Sequence, residues 1–124
     1  MKSQGKGLYP FVPSGASFAT ALAFFNELGF GTVWQQQGLA GLRFGAAYFM
    51  LHEIDVPEWQ KNQMITVEVD DLELYWSEIA AKDLPGRFAG VKLKAPTDFP
   101  WGREIHIIDP GGVCWHMRAV SMGR

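Results

Sequence analysis

The feature that most constrains the fold of this sequence is a repeated order of predicted secondary structure. Alternating apolar residues and turn residues predict a strand, a helix and three strands in residues 8–53, and the same order again in residues 64–119. Residues 54–63, with Pro57 and several polar side chains, are predicted to connect the halves. Neither half can bury one face of its sheet alone, so the two βαβββ modules are expected to pack as one α+β domain over residues 1–124.

Two helices are predicted from apolar residues at helical spacing. The first runs from Ser17, which is placed to cap it, to Leu28, with Gly29 ending it. The second runs over residues 71–82, where Asp70 and Glu73 resemble a capping box. The predicted strands are residues 8–13, 32–36, 39–44, 47–53, 64–69, 91–95, 103–109 and 113–119, and the last two are joined by a turn at residues 109–112.

The alternation of side chains along these strands predicts two faces. Phe49, Leu51 and Trp115 are expected to face a helix and form core. The opposite, concave face is then expected to present Tyr48, Met50, His52, Met64, Thr66, Cys114 and His116. Such a lining is largely apolar, with a few polar groups, and suits a planar aromatic ligand held by stacking and desolvation.

Composition excludes several classes of function. The net charge is −2 and the eleven Lys and Arg are scattered, so neither nucleic acid nor a membrane surface is an expected partner. A single cysteine excludes an internal disulfide and favours a cytoplasmic location. The five Trp, nine Phe and three Tyr exceed what a core of this size requires, which leaves some aromatic side chains for a binding surface.

Two motifs give the sequence a family resemblance. The segments PSGASFATALAFFNELGFG and PWGREIHIIDPGGVCWHM, within a βαβββ repeat, resemble the glyoxalase/bleomycin resistance/dioxygenase (vicinal oxygen chelate) superfamily, and most closely its bleomycin resistance proteins. The resemblance implies that superfamily's fold, and a homodimer that exchanges the N-terminal strand, residues 8–13. It implies a ligand sequestered without chemical change in a groove shared by two subunits.

The same resemblance bears on metal binding, because the enzymes of this superfamily hold a divalent ion with His, Gln or Glu on the first and last strands of the two halves. Those positions fall here at Pro10 or Phe11, Phe49 or Met50, Met64 or Ile65, and His116. One imidazole does not hold a catalytic divalent ion. We therefore expect no metal and no cofactor.

The groove of the resistance proteins is bordered by segments that correspond to Trp34, Leu39 and Trp101, which complete the expected ligand-binding set. Members of that branch carry stacking aromatic residues about where this chain has Leu39 and Thr66, and their cleft is markedly acidic. The expected ligand is accordingly a planar aromatic or hydrophobic molecule, either bleomycin-like or of another kind.

Two other functions remain open from the sequence. A metal-dependent lyase, isomerase or dioxygenase would need unorthodox ligands such as His52, His106 and His116. A non-catalytic partner or regulatory module would need no groove at all. For individual residues the structural interpretations are favoured: a hydrogen-bonded His116 beside a small thiol at Cys114, and strand carboxylates such as Glu104 that are solvated or ion-paired.

Overall fold

The computed structural model describes residues 2–120, and its elements follow the repeated order that the sequence predicts. The eight strands are β1 (Phe11–Pro13), β2 (Gly31–Gln36), β3 (Leu39–Phe44), β4 (Ala47–His52), β5 (Met64–Val69), β6 (Lys92–Phe99), β7 (Gly102–Ile108) and β8 (Cys114–Ala119). The helices are α1 (Phe18–Glu27), α2 (Pro57–Gln60), α3 (Leu72–Ala80) and α4 (Leu84–Arg87). α2 and α4 are single turns that the sequence analysis did not predict.

The strands form two four-stranded mixed sheets with the same topology. The first has the order β1-β4-β3-β2 and the second β5-β8-β7-β6. In each sheet the first strand of the module lies parallel to the last, and the remaining pairs are antiparallel. β1 pairs with β4 of its own chain, over three residues. Exchange of this strand between subunits remains a prediction.

Local chemistry explains where the two long helices begin. The Ser17 side chain accepts a hydrogen bond from the backbone N–H of Thr20, so it caps α1 as predicted. The capping-box prediction for the second helix is wrong by one residue, because Asp71 rather than Asp70 accepts from the Leu74 N–H. Asp71 is the residue with extended backbone that immediately precedes the helix, as a cap must be.

One core serves both halves, and aromatic rings dominate it. Phe25 of α1 lies between the sheets' buried faces, with ring centroids 5.0 Å from Phe49 and 5.2 Å from Trp115. In β4 Phe49 and Leu51 are buried and in β8 Trp115 and Met117 are buried, whereas the residues between them are partly exposed. The predicted alternation is therefore confirmed, and the side chains of the opposite face are free to build a site.

The helices of the two halves are also joined directly. The Tyr75 hydroxyl of α3 donates to the carbonyl oxygen of Leu28, 2.8 Å away, and Lys82 Nζ donates to the carbonyl oxygen of Glu27 at 2.6 Å. These carbonyls belong to the C-terminal end of α1, which has no helical partners for them. The second half therefore supplies the hydrogen-bond donors that the C-terminal end of α1 lacks.

The turn between β7 and β8 is organised by the predicted Asp-Pro-Gly-Gly sequence. Asp109 Oδ1 accepts from the backbone N–H groups of residues 111, 112 and 113, and its Oδ2 accepts from Trp115 Nε1. Asp109 is buried, so all of these donors replace lost water. The turn fixes the register in which β8 returns along β7.

Candidate functional site

An aromatic pair lies on the open face of the first sheet. Trp34 Nε1 donates a hydrogen bond to the Tyr48 hydroxyl oxygen at 2.6 Å. Both groups lie directly above Gly41, where an added Cβ would collide with Trp34 Nε1 and the Tyr48 oxygen. Glycine is therefore required beneath the pair, because any other residue would place a Cβ atom in the space that the two side chains occupy.

A cavity of about 340 Å³ adjoins this pair. It is lined by Tyr9, Val33, Arg43, Tyr48 and Met50. The Tyr9 ring meets the Tyr48 ring edge-on at 5.1 Å, and the Arg43 guanidinium carbon lies 5.1 Å from the centroid of the Tyr48 ring. The cavity thus combines apolar contact area with a single cation.

The rest of the open face continues the apolar lining. Phe11 of β1 lies opposite Met50 of β4, and the Phe11 ring meets the His52 ring edge-on at 6.0 Å. Leu39 of β3 lies opposite His52. Phe11 is about half exposed, at 52%. An apolar side chain of that size, half uncovered by the described residues, is typical of a contact surface.

The open face of the second sheet has a different character, because it is built around a buried carboxylate. Glu104 of β7 is fully buried, and its Oε1 lies 2.9 Å from His106 Nε2 and 3.0 Å from His116 Nδ1. Its Oε2 accepts from Trp101 Nε1 at 3.0 Å and from Arg118 Nε at 2.7 Å. Four donors from three segments of chain therefore converge on one side chain.

Electrostatics keeps this carboxylate ionised. Burial raises the pKa of Glu104, but hydrogen bonds from His106, Arg118 and His116, with the charge of Arg118, outweigh burial and lower its pKa to about 2. An ionised carboxylate only accepts hydrogen bonds, so each histidine must carry its proton on the nitrogen that faces Glu104. In neutral His116 the other nitrogen, Nε2, is then an acceptor, and it is buried without a hydrogen-bond partner among residues 2–120.

Within residues 2–120, Glu104, His106 and His116 form a group whose potential ligand atoms lie within 4.8 Å of one another. This donor set is one that transition metals accept. It lies on β7 and β8, whereas the first and last strands present Phe11 opposite Met50 and Met64 opposite Cys114. The carboxylate already has both oxygens engaged, so a cation would have to displace imidazole N–H donors and tolerate the Arg118 charge.

The predicted site residues separate into two groups in the structure. Trp34, Leu39, Tyr48, Met50 and His52 share the open face of the first sheet. Met64, Thr66 and His116 belong to the second sheet, and Trp101 stacks on Phe99 in its β6–β7 turn. Tyr48 and Thr66 both line another cavity, of about 250 Å³, so the two groups approach each other there.

Two important residues were absent from the predicted set. Arg43 follows Leu39 by four positions on the same strand, so strand alternation places both on one face and could have identified it. Glu104 was expected to be solvated or ion-paired; it is ion-paired, but buried. The register set by the turn at residues 109–112 places it opposite Arg118, which is the signal that could have shown its importance.

Cys114 has the structural role that the sequence favours, and Arg103 also has a structural role. Burial raises the pKa of the Cys114 thiol, which makes the thiolate scarce at neutral pH. Arg103 lies at the surface and pairs with Glu73 at 2.7 Å and Asp98 at 3.0 Å. Neither side chain offers reactive chemistry. Among the described residues, no helix has the length and apolar character needed to cross a membrane.

No family model and no curated protein matches the sequence, but solved structures match the fold over nearly the whole chain. A bleomycin-binding protein complexed with bleomycin aligns with a TM-score of 0.80 and 21% identity, covering 94% of this chain and 100% of that one. The bleomycin-binding protein of Streptomyces verticillus, complexed with copper(II)-bleomycin, aligns with a TM-score of 0.78 and 22% identity, covering 96% and 99%.

A neighbour solved with a metal ion aligns as well. The fosfomycin resistance protein of Listeria monocytogenes, complexed with Mn(II) and 1S,2S-dihydroxypropylphosphonic acid, has a TM-score of 0.70 and 14% identity, covering 96% of this chain and 94% of that one. At these sequence identities the similarities show the fold alone. A glyoxalase/bleomycin resistance protein/dioxygenase from Nocardioides has the same fold. The chain therefore has the fold of the glyoxalase/bleomycin resistance/dioxygenase superfamily, as its sequence resemblance implied.

Proposed function

We propose that this protein binds a small planar, aromatic or hydrophobic molecule without changing it chemically. The observation that carries the proposal is the open face of the first sheet, where Tyr48 and Met50 line a cavity of about 340 Å³ and Trp34 holds Tyr48 by a hydrogen bond. Aromatic rings held in place by a hydrogen bond provide contact area at low entropic cost. Solved structures with this fold include complexes with bleomycin, which supports a binding role.

The groove is proposed to be completed by a second copy of the chain. Phe11 on the first sheet and Met64 on the second are 52% and 70% exposed, on the faces away from the helices. Apolar side chains of this size on two sheet faces favour burial in an isologous contact. Sedimentation equilibrium should give twice the mass of one chain, and a monomer at micromolar concentration would contradict the shared groove.

Ligand binding can be tested by calorimetry with bleomycin and with neutral naphthalene derivatives. Saturable binding accompanied by a change in tryptophan fluorescence is expected, and the Trp34→Phe variant should lose most of that change. Trp59→Phe is the matched control, because Trp59 lies on α2, outside both sheets, and is 62% exposed. The absence of saturable binding by all of these compounds would contradict the proposal.

A metal-dependent enzyme is the second candidate, and the cluster of Glu104, His106 and His116 favours it specifically. A fosfomycin resistance protein of the same fold, solved with Mn(II), is consistent with it. The third histidine of the sequence-based alternative, His52, lies on the first sheet and takes no part in this cluster. Stoichiometric Zn, Mn, Ni or Fe in the purified protein, lost in His116→Ala, would contradict the metal-free binding role and favour this second candidate.

A further inference from the structure

The first sheet contains a single charged side chain. Strands β1 to β4 include no Asp, Glu or Lys, and their one arginine is Arg43. It lies directly opposite Tyr48 in the β3–β4 ladder, on the open face. The second sheet is different, since its strands carry both acidic and basic residues. Among the residues that line the aromatic cavity, Arg43 is the one that carries a charge, and it contributes a positive potential there.

No carboxylate of the described residues forms an ion pair with this guanidinium. Among residues 2–120, the other arginines, Arg87, Arg103 and Arg118, each pair with a carboxylate within 3.3 Å. Arg43 is in no ion pair of the described residues, and its recorded contact is with the face of the Tyr48 ring. A guanidinium held against an aromatic wall keeps its N–H donors available for a planar oxyanion.

A second donor lies in the same cavity. The Tyr48 oxygen accepts the Trp34 N–H, and that bond fixes the direction of the phenol. A hydroxyl also donates one proton, and no acceptor for it is present among the described residues. Arg43 and Tyr48 therefore offer donors on one wall, while Tyr9, Val33 and Met50 offer apolar surface on the others.

We infer that the ligand is an aromatic anion, a flat ring system bearing a carboxylate or a similar oxyanion. This inference rests on the proposed binding function and specifies its ligand class. The ring contacts Tyr9, Met50 and Tyr48, and the oxyanion accepts from the Arg43 guanidinium and the Tyr48 hydroxyl. A cationic aromatic ligand would instead meet an uncompensated like charge, which weakens its binding.

The experiment compares three probes of the same shape: 2-naphthoate, 2-naphthalenemethanol and 2-naphthylmethylammonium, titrated calorimetrically at neutral pH. The wild-type protein is expected to bind the anion about tenfold more tightly than the neutral alcohol, since a charge-assisted hydrogen bond is worth that factor. Arg43→Gln should remove this preference, because it weakens binding of the anion about tenfold more than binding of the alcohol. Tyr48→Phe should reduce the preference in part.

Lys94→Gln is the matched control, because Lys94 is also an exposed strand cation over an aromatic ring, 5.3 Å from the centroid of Phe99 in the second sheet. It should leave the preference intact. Equal binding of the three probes would overturn the inference while the proposed binding function stands. So would an equal loss of the preference for the anion in Arg43→Gln and Lys94→Gln. Failure of all three probes to bind would overturn both.

Discussion

The two sheets share one topology and use it in opposite ways. The open face of the first sheet is aromatic, carries one charge and leaves the donors of Arg43 and Tyr48 unused. The open face of the second sheet is polar, and its central carboxylate, Glu104, receives four donors from its own chain. A buried carboxylate whose two oxygens are engaged by donors of its own chain stabilises the fold. A face with unused donors and bare apolar surface is suited to a ligand.

The difference also affects how each face responds to change. Removing a side chain from the buried hydrogen-bond network around Glu104 leaves a charge without compensation. We expect this change to lower the free energy of unfolding. Removing a group from the first sheet exposes no buried charge, and the cost falls on binding. The predictions below test this division, from the largest expected effect to the smallest.

The largest effect is expected from Glu104→Gln. The amide cannot balance the charge of Arg118, and it cannot accept from both histidines and Trp101 as the carboxylate does. Loss of one partner from a buried ion pair costs about 3 kcal/mol or more, measured as the free energy of unfolding in urea. Glu73→Gln, which removes a carboxylate from a surface ion pair, is the control and should change stability little.

The pH dependence of the free energy of unfolding should reveal the contribution of ionised Glu104. Because the pKa of Glu104 is about 2 in the folded protein against an ordinary 4.5, the unfolded chain takes up the proton first as the pH falls. This contribution is complete above about pH 4.5 and is lost between 4.5 and 2, at most about 3 kcal/mol. The free energy of unfolding of Glu104→Gln, measured over the same pH range, should lack this decrease. Identical pH profiles for the variant and the wild-type protein would contradict the prediction.

A smaller stability effect but a large binding effect is expected from Gly41→Ala. The new methyl group must displace Trp34 and Tyr48 from their positions over the strand. Such overpacking costs about 1–3 kcal/mol, and we expect the affinity for aromatic ligands to fall by about tenfold or more. Gly31→Ala on the neighbouring strand is the control, because its nearest contact would be an ordinary 3.9 Å. Equal affinities in the two variants would exclude a role for the pair.

The smallest effects come from a comparison of two indole donors. Trp101 donates to the charged Glu104, and Trp34 donates to the neutral Tyr48 hydroxyl. Replacement of each by Phe should cost about 2 kcal/mol for Trp101 and about 1 kcal/mol for Trp34, following the strength of charged and neutral hydrogen bonds. Thermal denaturation of both variants measures the two losses of stability. A larger loss for Trp34→Phe than for Trp101→Phe would contradict the proposed difference between the two sheets.

Much of the fold is predictable from local patterns. β3 and β5 have the predicted bounds, because alternation and turn residues define both ends of each. β6 extends to Phe99, four residues beyond its prediction, since a register shift between Lys94 and Thr97 breaks the alternation that the sequence analysis relies on. β1 is shorter than predicted because pairing with β4 begins only at Phe11.

The site was less predictable, because it depends on which strands become neighbours. Alternation correctly placed Tyr48, Met50 and His52 on one face. It could not show that Trp34 would reach across Gly41 to Tyr48, since that contact requires the β2–β3–β4 order. The burial of Glu104 likewise requires knowing that β7 and β8 pair opposite one another, with the Trp101 turn above them.

The hydrogen bonds from Tyr75 and Lys82 to the last carbonyls of α1 have a consequence for how the chain could be divided. A fragment ending in the 54–63 connection would leave those carbonyls without donors and half of a common core uncovered. The two βαβββ modules are thus better regarded as complementing fragments than as autonomous folding units. Cleaved between them, each should be unstructured alone and recover its shape only on mixing with the other.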